Sequence, residues 1–511
     1  MERKYVISKH LKIKDEHVNS LIRSCNRRID ELNYKISTMD LALYLLHINI
    51  PKLGKISTKS VSIIMSTCIM IAAKYFETNF HDADYMATNK GTGISEGNII
   101  DKEEEILRYF NFNLLLPTVG RYLYAKTGSL YDKAAVKHWL QMVYYDINIM
   151  VKYSSEDIAS AINIMINTNT DVNAMAITDL ITILNKPSEP AMKRFKYENG
   201  SCNSIIMNVQ CDDYEVNRIM GYGTYGEVFD VTANKNIGEI EDGKQVALKV
   251  YRNITISKTG YQPYILRCLS VLQSIRHPNI ISMLGFNMHK DTKRLDILLE
   301  KGGVTLYDYI QKYKRITIPI LKFIIQEILK ALAYLHSNNI IHRDIKPDNI
   351  LVTVAGAEDD SNMLVQLIDF DLIKDTTLSR DYINESKNSM DTDTSAYHTC
   401  DTTTLCYRAP ELLEAITELP NGLIAFKYYT NNIDIWALGC CILYMISGKT
   451  YPYGNTPKEQ LDAILDLKFA SIIDGIPHKL LRDLVIKMLS ISSANRLSAS
   501  DALQHPFFSV E

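Results

Sequence analysis

The sequence predicts two unlike domains in succession, an all-α helical bundle and then an α+β domain. Three observations carry that expectation. Apolar residues recur at helical spacing from residue 15 to about 185. A polar, proline-broken stretch follows over 186–213. From Tyr214 onward, short β-branched runs come first and long helical ones after.

In the helical half, Val18, Leu21, Ile22, Cys25, Ile29 and Leu32 form one apolar stripe on an otherwise polar helix. Ser57 and Thr58 are candidate N-caps for a helix running through Val61 to Tyr75. That helix is apolar on nearly all sides, which places it at the centre of a bundle. Its greasiest part, Val61 to Ala73, is short for a bilayer span of about 20 residues. Asn185-Lys186-Pro187-Ser188-Glu189-Pro190 opens the expected linker.

At 511 residues the chain has room for two or three domains with real cores. A hydrophobic share of 46% and a charged share of 23% are ordinary for a globular protein. The formal charge of -3 and a pI near 6.5 argue against a general binder of nucleic acid or membrane surfaces, so neither is expected as a partner. The N-terminal stretch lacks the apolar core of a secretory signal. Nine cysteines without C-x-x-C spacing suggest neither a zinc module nor a disulfide framework, and a reducing cytoplasmic or nuclear setting is expected.

The second half carries chemistry in a fixed order. Gly221-Tyr222-Gly223-Thr224-Tyr225-Gly226-Glu227-Val228 is a glycine loop whose backbone can approach phosphates closely and offer amide donors. A dinucleotide-binding turn shows the same glycines, so the loop alone decides little. Val246-Ala247-Leu248-Lys249 then reads as a strand with a lysine that can reach the α- and β-phosphates. His342-Arg343-Asp344-Ile345-Lys346-Pro347-Asp348-Asn349 puts a carboxylate, a lysine and a side-chain amide in one short loop. Asp369-Phe370-Asp371, Ala409-Pro410-Glu411, Asp434-x-Trp436-x-x-Gly439 and Arg496 follow.

In this order the motifs resemble those of the protein kinases, which implies a bilobal α+β fold with ATP and Mg2+ as cofactors and protein substrates. The resemblance makes Asp344 the acceptor of the substrate hydroxyl proton and Lys346 the residue that steadies the transferred phosphoryl group. Asn349 and Asp369 become magnesium ligands. The ATP-binding residues become Gly221, Tyr222, Gly223, Thr224, Tyr225, Gly226, Val228, Ala247, Lys249, Leu299 and Glu300. Lys346, two residues after Asp344, favours serine/threonine over tyrosine substrates. Arg496 is expected to pair with Glu411, and Asp434 to brace the catalytic loop.

From Tyr214 onward the resemblance narrows to the cyclin-dependent kinases. Thr404-Leu405-Cys406-Tyr407-Arg408-Ala409-Pro410-Glu411 is close to that family's T-L-W-Y-R-A-P-E. Thr224 and Tyr225 match its inhibitory phosphorylation sites and Thr399 its activating one, with Arg267, Arg343 and Lys374 as the basic cluster for the phosphate. A lysine at the last position keeps the charge and loses the bidentate fork.

The helical half resembles a cyclin. Thr67 to Glu77 is similar to the central cyclin-box helix with its A-x-K-x-x-E pattern, and Phe110 to Thr118 to the L-x-F-x-L-x-x-P-T segment. The resemblance implies that Lys74 and Glu103 form the pair that grips the kinase beside its C-helix. The expected boundaries are a cyclin-like domain over 1–185 (box about 30–118, weaker second repeat 119–185, with Leu140 to Lys152 as one of its helices), a linker over 186–213 and a kinase domain over 214–511. Such a linker spans at most roughly 90 Å, which would hold the two halves at an effective concentration on the order of mM. A kinase with its activating cyclin in the same chain, joined by an intramolecular contact, is the expectation.

Departures from the family pattern keep a second reading open, a pseudokinase or nucleotide-binding scaffold with a cyclin-like docking module. Cys268 stands where the C-helix glutamate belongs, and no Asp or Glu occurs between Arg252 and His289. Lys249 is then held by Asp369 and ATP, or the nucleotide site is weakened. Asp371 replaces the D-F-G glycine, with less backbone freedom and an added negative charge near magnesium. Between Asp371 and Ala409 lie 37 residues, a long segment whose extra stretch, Thr376 to Ala396, is polar. Thr402 and Thr403 replace an apolar pair that selects proline after the target residue. The Ile-, Asn- and Tyr-rich composition fits an AT-rich genome, a protist or a large DNA virus; a viral protein would work in the host cell.

Overall fold

The computed structural model describes residues 15–49, 57–77, 80–87, 94–127, 133–145, 149–150, 153–168, 180–181, 184, 206–207 and, with short gaps, 213–377 and 405–509. By internal packing the chain divides into two units. The first comprises residues 1–203, 255–270 and 376–395, and the second residues 204–254, 271–375 and 396–511.

The first unit is helical: α1 Asp15–Glu31, α2 Ile36–Asn49, α3 Thr58–Phe76, α4 Ala83–Ala87, α5 Glu96–Tyr109, α6 Val119–Thr127, α7 Lys133–Tyr145 and α8 Ser155–Thr168. The stripe on α1 turns Ile22, Cys25 and Ile29 inward. Ser57 caps α3 in a capping box with Ser60, and Thr58 is the first helical residue. Ser95 and Asn98 make the same box at α5. Helix α3 is long and apolar enough to cross a membrane by length and composition, and 78% of that stretch is buried inside the protein. Each fully buried aliphatic side chain contributes about 1.5–3 kcal/mol. Helix α7 begins well before Leu140, where Lys133-Ala134-Ala135 supplies good helix formers, and is described to Tyr145; Lys152 lies outside the described residues.

Buried carboxylates hold these helices in place. Asp40 on α2 accepts from the Thr118 hydroxyl, from the Gly120 backbone N–H at 3.1 Å and from the Tyr144 hydroxyl at 2.8 Å. One side chain therefore ties α2 to α6 and α7. Glu77, just past α3, accepts from the Lys35 backbone N–H at 2.8 Å and from the Thr38 hydroxyl. The first unit also contains the hairpin Thr255–Ile256 with Gly260–Tyr261 and the part of helix α9 (Pro263–Ser274) up to Ser270.

The second unit is built on a six-stranded sheet of β1 Ile206–Met207, β2 Tyr214–Tyr222, β3 Gly226–Ala233, β4 Gln245–Arg252, β5 Met283–His289 and β6 Arg294–Leu299, ordered β1-β5-β6-β4-β3-β2. Strand β1 falls in the stretch read as linker and pairs parallel to β5; the other pairings are antiparallel. Side chains alternate across β4: Val246, Leu248 and Val250 join Tyr214, Val231 and Leu298 in the core, which leaves Ala247, Lys249 and Tyr251 on the opposite face.

Helices α10 Leu306–Tyr313 and α11 Ile318–Ser337 follow, with small sheets formed by β7 Val304–Thr305, β9 Ile350–Val354 and β10 Met363–Leu367, and by β8 Ile340–Ile341 with β11 Lys374–Asp375. The unit ends in helices α12 Pro410–Leu413, α13 Asn432–Ser447, α14 Pro457–Leu465, α15 Ala470–Asp474, α16 Lys479–Met488, α17 Ala499–Leu503 and α18 Pro506–Ser509. Helix α13 is buried nearly throughout and stops at Gly448, whose φ of 69° is the left-handed cap that glycine adopts freely.

Candidate active site

The loop from His342 to Asn349 is fixed from behind by Asp434 of α13. That carboxylate accepts from the backbone N–H of His342 at 3.0 Å and of Arg343 at 2.8 Å, and contacts His336 Nε2 at 2.9 Å. Burial alone would raise the Asp434 pKa, but the His336 hydrogen bond and these partners bring it below the usual carboxylate range. The loop bends through Arg343, which takes a left-handed φ of 69°. For a residue with a Cβ that conformation costs roughly 1–2 kcal/mol, so the Asp434 bonds hold a strained turn.

Asp344, Lys346 and Asn349 converge. Lys346 Nζ lies 2.8 Å from Asp344 Oδ2, and Asn349 Nδ2 donates to the same oxygen at 2.7 Å and to the Asp344 carbonyl at 2.9 Å. The buried carboxylate is therefore aimed by a cation and an amide. Across from it, Lys249 of β4 reaches Asp369 Oδ1 at 2.7 Å and Asp371 Oδ2 at 2.8 Å. The other Asp371 oxygen accepts from the Tyr251 hydroxyl at 2.6 Å, and Lys249 Nζ sits 4.9 Å from the centroid of the Tyr251 ring. Burial works to raise both carboxylates. The Lys249 ammonium outweighs it at Asp369, which is held down, while Asp371, deeper and beside a second negative charge, stays raised.

The expectation about Asp371 is corrected in one respect. The left-handed residue in this run is Asp369, with φ 64°, and Asp371 does not need a glycine's freedom. Its charge is turned onto Lys249. That answers the question raised by Cys268, which is itself a buried side chain, 1% exposed.

The glycine loop joins β2 to β3. Gly223 N–H donates to the Gly226 carbonyl at 2.8 Å, and a Cβ at Gly226 would lie 2.2 Å from the Val250 carbonyl oxygen, so the close approach of β3 to β4 requires glycine. Gly221 and Tyr222 end β2, with Tyr222 exposed, and Val228 is in register with Lys249. Ala247 is in register with Leu299, which brings two of the expected nucleotide residues side by side. Glu300 follows Leu299; its backbone N–H donates to the Ser282 carbonyl at 3.0 Å. Tyr225 is half-buried; burial raises its pKa, and the charges of Asp371, Asp369 and Asp344 add to the rise while Arg343 opposes it.

Arg343 and Lys374 meet at Tyr429: Arg343 Nη1 donates to its hydroxyl at 3.2 Å, and Lys374 Nζ lies 5.3 Å from its ring centroid. Arg267 belongs to the first unit, where its Nε donates to the Pro263 carbonyl. Thr224, Thr399, Thr402 and Thr403 lie outside the described residues. Arg496 grips Glu411 with two bonds, at 2.7 and 3.1 Å, the pairing the resemblance implies.

In the first unit, Lys74 and Glu103 form a wholly buried ion pair at 2.5 Å between α3 and α5. Burial lowers the lysine's pKa and raises the glutamate's, and the mutual attraction opposes both shifts. The second Glu103 oxygen accepts from the Tyr261 backbone N–H at 3.2 Å. Gly260, with φ 69°, lies so close that a Cβ there would fall 1.9 Å from Glu103 Oε2. The Tyr261 ring packs edge-on against Phe112, and Ser270 Oγ accepts from the Leu114 N–H at 2.8 Å. Sequence reading missed Tyr251, Tyr429 and Gly260. For Tyr251 a signal existed, since two residues beyond Lys249 on a strand is the same face.

Comparison with known families finds a match in each half of the chain. A protein kinase domain model matches residues 214–508, and a cyclin N-terminal domain model matches residues 1–115. The chain belongs to the protein kinase family. The relatives that its kinase domain resembles include serine/threonine kinase NLK of Caenorhabditis elegans, 29% identical over 354 residues, which cover 60% of this chain and 49% of the relative. Serine/threonine-protein kinase NLK2 of Xenopus laevis is 28% identical over 332 residues, covering 58% and 65%. Mitogen-activated protein kinase 10 of Oryza sativa subsp. japonica is 27% identical over 327 residues, covering 58% and 48%. The chain thus spans about half to just under two thirds of the length of these relatives.

Among the described residues no group of three or more His, Cys, Asp or Glu side chains is disposed to hold a metal. Magnesium characteristically takes one or two carboxylates and fills its shell with phosphate oxygens and water. The hard oxygen donors of Asp369 and Asn349 in the kinase domain fit that mode.

Proposed function

We propose that the protein is a serine/threonine kinase that transfers the γ-phosphoryl group of ATP to protein hydroxyls and is activated in cis by its cyclin-like domain. The observation that carries the catalytic part is the convergence of Lys346 and Asn349 on the Asp344 carboxylate. Asp344 accepts the proton of the attacking hydroxyl as its oxygen bonds to the γ-phosphorus and the bond from that phosphorus to the bridging oxygen breaks, so that ADP leaves; Lys346 neutralises charge on the phosphoryl oxygens. Lys249 binds the α- and β-phosphates, and the glycine loop covers them with backbone amides. Asp369 and Asn349 are the residues that would hold magnesium, which when bound neutralises charge between the β- and γ-phosphates. A serine/threonine preference rests on Lys346 and on the names of the related kinases.

Activation in cis draws its support from Glu103. One oxygen neutralises Lys74 and the other takes the Tyr261 N–H, so the pair is joined to a segment that lies within the kinase match. The scaffold reading loses ground, because Lys249 does have an acidic partner in Asp371.

The test is transfer from labelled Mg-ATP by the full-length chain, with a Lys74→Glu/Glu103→Lys swap beside it. The swap keeps a buried ion pair and turns a cation toward the Tyr261 N–H. Loss of transfer by a protein that still melts in one cooperative transition is expected. Full activity in the swapped protein would overturn activation through this contact, and no transfer by the wild type would overturn the kinase reading.

A further inference from the structure

Active kinases fix the phosphate-binding lysine with a glutamate from the C-helix, and assembly of that pair is a common point of control. This chain has Cys268 in the matching place and no acid between Arg252 and His289. A buried lysine ammonium without a partner is costly, so the charge on Lys249 must be met from elsewhere.

It is met from the segment after Phe370. The Asp371 side chain is 4% exposed, against 31% for Asp369. Both of its oxygens are engaged, one by Lys249 and the other by the Tyr251 hydroxyl. Tyr251 shares a face of β4 with Lys249 and packs its ring against the same ammonium. The three side chains therefore brace one another. Asp369, the more exposed acid, is the one open to magnesium and phosphate. Asp371, the more deeply buried of the two, faces the lysine and the Tyr251 hydroxyl.

We propose that Asp371, oriented by Tyr251, is the residue that positions Lys249 for the nucleotide phosphates, in place of an acid from α9. Asp371 is a positioning residue that acts through Lys249. The lysine is set whenever the Asp369-Phe370-Asp371 run is in place, and helix α9 supplies no acid to it. The inference rests on the reading of Lys249 as the phosphate-binding lysine of the kinase.

The test is a double-mutant cycle in the full-length protein, read as affinity for magnesium-free ADP by fluorescence titration, with kcat and KM for Mg-ATP beside it. Asp371→Asn is expected to weaken ADP binding about tenfold, within the range of coupling between residues in contact. KM for ATP should rise by a similar factor. Tyr251→Phe, which removes only a hydroxyl, should move both in the same direction by less, and it carries the test if Asp371→Asn melts early. In a Lys249→Met background, Asp371→Asn should cause no further loss. Equal losses in both backgrounds, or unchanged affinity in Asp371→Asn and Tyr251→Phe alike, would overturn the proposal. Failure of the kinase reading looks different: the wild type would bind ADP and transfer no phosphate, while the binding cycle would still report on Asp371.

Discussion

Asp344 is held by Lys346 and Asn349, and the loop that carries it is held in turn by Asp434. Replacing Asp344 by Asn keeps the shape and removes the base. The expected outcome is a fall in kcat of roughly 10²–10⁴-fold, the usual worth of a general base, with ADP affinity little changed; transfer assays and binding titrations on one preparation check it. Much of this site was legible because His342 to Asn349 is contiguous, and a short loop brings its own residues together. The Lys249–Asp371 pair was not legible. Its members are 122 positions apart, and only the fold decides which way the Asp371 side chain turns. The residue list foretold an extra charge near magnesium, whereas the side chain faces the lysine.

At the scale of elements, close approach and buried charge set the sensitivities. Gly226→Ala would push a methyl into the Val250 carbonyl between β3 and β4. A stability loss of about 1–3 kcal/mol is expected from such overpacking, with a raised KM for ATP because Val228 and Lys249 share that register. Glu103→Gln leaves the buried Lys74 uncompensated and should cost about 3–5 kcal/mol. The double variant Lys74→Met/Glu103→Leu should be milder than Glu103→Gln, measurable in chemical denaturation of the full chain. Helix α3 was readable from its serine cap and all-round apolar surface. The role of Asp40 was not, because a lone aspartate in an apolar helix carries no sign that Thr118, Gly120 and Tyr144 will converge on it.

For the molecule as a whole, His47 gives a pH dependence with a defined sign. It is buried in α2 with Nε2 2.7 Å from the Tyr144 carbonyl, and burial pushes its pKa from 6.5 to about 4. The unfolded chain takes up the proton first, so this contribution to stability is complete above pH 6.5 and is lost as pH falls toward 4. The total is about 3 kcal/mol. Melting curves of the wild type between pH 7.5 and 4.5 should fall more steeply than those of His47→Gln; parallel curves would refute the assignment. The order of the two domains was legible from periodicity and motifs, while the short strand β1 hid because its Ile205-Ile206-Met207 run is too short to mark a strand within an otherwise polar stretch. That strand covers one side of β5, whose free backbone groups would otherwise offer a template to any other extended chain. A fragment that begins at Tyr214, where the recognisable kinase motif region starts, would bare that edge. It should clump on concentration more readily than one that begins at Ser204, though both keep every residue named for catalysis.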